Sequence, residues 1–169
     1  MCERFNIGII KKHLFKINVR KIVRCMKKKN RKEELKEQYG KVQDLYLDID
    51  GVLVDLKYPQ CEPYPRLVPD ITDFIFWAML SFDNIYFLTC WTEESIKESL
   101  RGLPDFEYCN WKRDKTEAID YSRSFYWLED GITSDERKML GDKGFLSSYV
   151  YIDPYDNRAL TRFMERCSF

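Results

Sequence analysis

From Asp44 to Asp55 the chain reads Asp-Leu-Tyr-Leu-Asp-Ile-Asp-Gly-Val-Leu-Val-Asp, an apolar run that ends in two carboxylates one residue apart and breaks at Gly51. Side chains along a strand alternate with period two, so Asp48 and Asp50 leave on the same side, where the strand runs out. Two like charges held that close are costly unless a cation or a shared proton offsets them. A hard divalent ion meets that need, and Mg²⁺ is the usual partner of carboxylate, carbonyl and water oxygens beside phosphate. One aspartate is then available to attack and the other to move a proton. Alone, Asp-x-Asp-Gly is also what a solvated turn shows, or a fragment of a calcium loop, which needs more oxygen ligands and a closing Glu.

The rest of the chain supplies the scaffold for such a strand. Short apolar and aromatic runs predict strands at Gln43–Asp48, Asn84–Leu88, Phe106–Cys109, Phe125–Leu128 and Tyr149–Ile152. Helical spacing predicts helices over Pro69–Leu80, Thr92–Leu100, Asp114–Tyr121, Ser134–Leu140 and Arg158–Cys167. Strands alternating with helices imply crossovers and a parallel sheet with helices on both faces. The expected fold is therefore a single Rossmann-like three-layer α/β/α domain over residues 42–169, with a mainly parallel five-stranded sheet. The chain's length of 169 residues suits one domain with a real core.

Charge separates that domain from what precedes it. Residues 1–41 carry fourteen Lys/Arg against four Glu, and residues 42–169 carry fourteen basic against twenty-four acidic residues, so a net charge of zero is a sum of opposites. Within the basic part, Ile10, Leu14 and Ile17, with Phe15, Ile22 and Met26, recur near helical spacing between lysines and arginines. The expectation is a basic amphipathic helical arm that packs, or that contacts nucleic acid or an anionic membrane surface. No apolar run approaches the length needed to cross a bilayer, and the N-terminus reads as lacking a signal peptide. Cys2, Cys25, Cys61, Cys90, Cys109 and Cys167 show no metal-like spacing and read as reduced, which points to the cytoplasm.

Open parallel sheets bind ligands at the carboxyl ends of their strands. There the chain places Thr89, whose hydroxyl and nearby backbone N–H groups suit a phosphoryl oxygen, and Glu129-Asp130, carboxylates opposite the first strand. The Asp48-Ile-Asp50-Gly-Val-Leu segment resembles the first motif of the haloacid dehalogenase superfamily, whose members are mostly Mg²⁺-dependent phosphatases and phosphotransferases. Thr89, Lys115 and Asp130 fall in that family's order. The resemblance implies Asp48 as nucleophile, Asp50 as general acid and base, and Thr89 and Lys115 as phosphate-side groups. It further implies Mg²⁺ held by Asp48, the carbonyl of Asp50 and Asp130, with Glu129 touching the metal directly or through water. Lys112 competes with Lys115 for the lysine role, and Asp135 is a further acid. Asp153-Pro154 reads as a strand-to-helix turn.

Only Leu56 to Asp83 separates the first motif from the second strand, and a proline-bounded loop with one helix fills it, so no cap domain is expected. An open site favours a phosphate on a large molecule, a nucleic-acid end or a phosphoprotein. Trp91, Trp127-Leu-Glu-Asp and the Ile152-Asp-Pro tail also resemble small capless domains fused in RNA-repair proteins. The rival expectation is a binding module that keeps the fold and docks through its arm. Against it stands the intact Asp48/Asp50 pair.

Overall fold

In the computed structural model, which describes residues 43–57, 65–100 and 102–167, Leu45 and Leu47 point to one side of a strand and Tyr46 to the other. That strand, β1 (Gln43–Leu47), is the centre of the sheet. Around it lie β2 (Asn84–Phe87), β3 (Glu107–Tyr108), β4 (Ser124–Glu129) and β5 (Tyr149–Tyr151), in the spatial order β3-β2-β1-β4-β5 and all parallel. Leu47 lies level with Phe87 on one side and Leu128 on the other.

Because strand side chains alternate, two separate cores form. Leu45, Leu47 and Leu128 pack with α1 (Ile71–Ser81) through Phe74 and Ala78, with α2 (Glu93–Ser99) through Ile96, and with α4 (Ala159–Cys167) through Leu160 and Phe163. Tyr46, Phe125 and Trp127 pack on the opposite face against Leu140 of α3 (Ser134–Asp142). Both faces of β1 are thus dry, the usual condition for parallel strands. The expected three-layer, Rossmann-like parallel fold is the one observed.

One expected helix is corrected. Asp114–Tyr121 closes only as a 3-10 turn, Lys115–Ala118. Asp120 ends it, its carboxylate accepting from the backbone N–H of Ser122 at 2.9 Å and the Ser122 hydroxyl at 2.7 Å. Such local side-chain bonds compete with helical ones. The layer is completed instead by rings: Phe125 stacks on Phe145 at 5.2 Å, and Tyr121 meets both edge-on.

After Ile49 the chain folds back on itself. Leu53 N–H and Val54 N–H both donate to the Ile49 carbonyl at 2.9 Å. Val54 then bridges antiparallel to Leu67, with Asp55 N–H on the Arg66 carbonyl and Val68 N–H on that of Leu53. Where the sequence predicts a loop, the described residues on its two sides are therefore paired at the carboxyl end of the sheet. Among the described residues no further folded unit is inserted between β1 and β2, and no helix is long and apolar enough to cross a membrane. The basic arm lies outside the described residues.

Candidate active site

The chain winds outward from β1 through β2 to β3, then returns to the far side of β1 for β4 and β5. The winding therefore reverses between β1 and β4, and ligand sites of open α/β sheets lie outside the carboxyl ends of the strands at that reversal. Asp48 follows β1, Glu129 ends β4 and Asp130 follows it. Asp48 N–H donates to the Leu128 carbonyl at 3.0 Å, so the ladder continues one residue into the site.

Carboxylate oxygens of Asp48, Glu129 and Asp130 lie within 4.8 Å of one another. Asp48 and Glu129 are almost fully buried, at 4% and 2% exposure. Lys115 reaches between them, its Nζ 2.8 Å from Asp48 Oδ1 and 2.5 Å from Glu129 Oε2. Burial pushes the Glu129 carboxyl well above the usual range and the Asp48 charge pushes it further, with Lys115 pulling the other way. Burial raises Asp48 as well, against the same lysine. Burial works against the Lys115 charge, but the two carboxylates more than offset it and hold the ammonium above its ordinary range. Among the described residues three carboxylates meet one ammonium, which leaves them short of positive charge. Its donors are all hard oxygens, and that donor set suits a hard divalent cation.

Gly51 makes the arrangement possible. It sits at φ +72°, and a Cβ added there would come within 2.5 Å of Asp130 Oδ2 and 2.9 Å of Asp130 Cβ. The glycine thus solves two problems together: it turns the chain sharply after Asp50, and it lets Asp130 pack against the backbone beside Asp48.

Asp50 is half-buried, and its carboxylate is not part of the three-oxygen cluster. The indole Nε1 of Trp91 donates to Asp50 Oδ2 at 2.8 Å. Thr89 is buried at 1% exposure just past β2. Its Oγ1 accepts from the Trp91 N–H at 3.4 Å, and its carbonyl accepts from the Trp111 indole at 3.2 Å. Used as an acceptor, the hydroxyl keeps its own proton to donate.

Between the two lysines the geometry favours Lys115. Lys112 is exposed, its backbone N–H on Glu117, whereas Lys115 touches two carboxylates. Asp135 is exposed in the first turn of α3. Asp153 accepts from the Tyr155 N–H at 2.9 Å, as a strand-to-helix turn requires. The sequence reading missed Glu136, buried at 6% exposure, although Thr133-x-x-Glu136 has the spacing of a capping box. One of its oxygens closes the capping box of α3 on Thr133, and the other accepts from the Lys115 N–H at 3.1 Å. Trp91 and Trp111 serve the site without a motif that assigns them. Comparisons with protein-family models, with curated proteins and with solved structures found no match.

Proposed function

We propose that the protein is a Mg²⁺-dependent phosphohydrolase of the haloacid dehalogenase type, working through an aspartyl-phosphate on a phosphomonoester carried by a larger molecule. The single observation that carries this reading is the convergence of Asp48, Lys115, Glu129 and Asp130 in the crevice between β1 and β4. Three separate stretches of chain meet there, and their charges suit a metal and a phosphoryl group together.

An Asp48 carboxylate oxygen attacks phosphorus, and an O–P bond forms as the ester P–O bond breaks. The leaving oxygen takes the bond's electron pair and a proton from Asp50. Water then attacks the aspartyl-phosphate, gives its proton to Asp50, and Asp48 leaves as the free carboxylate. Splitting one displacement into two in this way is what a covalent nucleophile offers, and Asp50 moves the proton in both directions. Lys115 holds Asp48 in place and adds positive charge beside the phosphoryl oxygens, and the Thr89 hydroxyl donates to one of them. Mg²⁺, held by Asp48, the Asp50 carbonyl and Asp130, with Glu129 beside them, would offset the charge that builds on those oxygens.

Nothing among the described residues forms a cap over the crevice, which supports a bulky substrate. The test is phosphate release from an aryl phosphate, an alkyl phosphate, a phosphopeptide and 3′- and 5′-phosphorylated oligonucleotides, with Mg²⁺ and with EDTA. Mg²⁺-dependent release that disappears in Asp48→Asn is the expected result. Release that survives EDTA, or that Asp48→Asn retains, would overturn the reading.

A further inference from the structure

A side-chain bond ties the β1 loop to the β2 loop, from Trp91 Nε1 to Asp50 Oδ2 at 2.8 Å across forty-one positions of sequence. An indole N–H is a donor only. In that pair Asp50 Oδ2 is therefore the accepting oxygen. The ring itself is not free to follow the carboxylate. Trp91 packs against the core cluster that holds Ile96 and Leu100. Its N–H bonds back to Thr89 Oγ1, and the next residue, Thr92, caps α2 by accepting from the Ser95 N–H at 3.2 Å. Trp111 fastens the same loop by donating to the Thr89 carbonyl.

From this anchoring we infer that Trp91 is a positioning residue for Asp50: by holding Oδ2 it fixes the orientation of the carboxyl group that gives a proton to the leaving group and later takes one from the attacking water. The inference deepens the phosphohydrolase reading and rests on it. The positioning matters most where proton transfer limits the rate. A good aryl leaving group departs with little help, whereas an alkyl oxygen needs the proton as the bond breaks.

Trp91→Phe keeps the ring and removes the donor. In single-turnover measurements it should lower the phosphorylation rate with an alkyl phosphate by about ten- to a hundredfold, the range for a lost hydrogen bond to a charged group, while changing the phosphorylation rate with a dinitrophenyl phosphate by less than about threefold. Placed on Asp50→Asn, the same substitution should add nothing, because two residues that act through one group are not additive. Equal losses of the phosphorylation rate on both leaving groups, or full additivity with Asp50→Asn, would overturn the assignment. A second measurement needs no turnover and no stable Trp91 variant. In ¹H–¹⁵N spectra of the full chain, Asp50→Ala should move the Trp91 indole N–H resonance upfield and leave those of Trp77 and Trp127 in place. An unmoved Trp91 signal would show that the bond is not made. A wild-type protein that hydrolyses no phosphomonoester, but whose Trp91 signal moves, would retire the phosphohydrolase reading and leave the Trp91–Asp50 contact standing.

Discussion

Replacing Gly51 by alanine adds one methyl group at the most crowded point of the site. Two costs arise from the structure. The residue sits at φ +72°, where a Cβ costs about 1–2 kcal/mol in an L-residue. The new Cβ also falls 2.9 Å from Asp130 Cβ. Rotating the Asp130 side chain relieves the contact with Oδ2 but not the one with Cβ, so backbone must shift, at about 1–3 kcal/mol for overpacking of this kind. The sum is about 2–5 kcal/mol. For a domain of this size even the low end lowers Tm by roughly 6 °C. The shift also takes Asp130 out of reach of Asp48 and Glu129, so Mg²⁺ binding measured by titration calorimetry should weaken along with turnover. Gly131→Ala is the control. Nothing lies within 4 Å of a Cβ at Gly131 and its φ is not positive, so that variant should stay within about 0.5 kcal/mol of wild type. A Gly51→Ala protein with wild-type Tm and wild-type Mg²⁺ affinity would refute the packing of Asp130 on this turn.

Lys115→Met leaves Asp48 and Glu129 buried without their cation. Removing one partner of a buried ion pair costs about 3–5 kcal/mol, so chemical denaturation at neutral pH should show a loss in that range, narrowing as acid protonates the two carboxyls, and turnover should fall at least about a hundredfold; a stable, active variant would contradict the placement of the ammonium. In wild-type protein stripped of metal, both carboxyls have folded-state pKa values raised above their unfolded ones, chiefly by burial. Their contribution is complete below the ordinary carboxylate range and is lost as pH rises through the raised values. Thermal stability in EDTA should thus decline across neutral pH, and saturating Mg²⁺ should flatten the decline by binding the ionised form. Identical pH profiles with and without Mg²⁺ would mean that these carboxylates do not meet a metal.

Much of the fold was legible because its signals are local. Leu45, Tyr46 and Leu47 announce a strand buried on both faces, and parallel pairing follows once helices are seen to alternate with strands, whereas the strand order came only from the structure. Asp48 and Glu129-Asp130 could be placed at strand ends for the same reason. The helix expected over Asp114–Tyr121 failed because Asp120 offers Ser122 a competing bond that helical spacing does not register. Choosing Lys115 over Lys112 needed the fold, since both lie near the turn and only one reaches across to Asp48. Hidden altogether were the contacts that join distant loops: Gly51 against Asp130, Trp91 on Asp50, and Glu136 on the Lys115 backbone. Each depends on the sheet bringing strand ends side by side, and no spacing along the chain records it.

Covalent capture of the phosphoryl group is the most direct test of the central claim. Wild-type protein mixed with Mg²⁺ and an aryl phosphate, quenched in acid within one turnover and digested, should carry a phosphoryl group on Asp48, in a peptide whose adduct hydroxylamine removes as it does an acyl phosphate. Asp50→Asn should let the adduct accumulate, because the water that clears it loses its base. Mg²⁺-dependent turnover at full rate with no adduct on Asp48, or an adduct on another residue, would contradict the account.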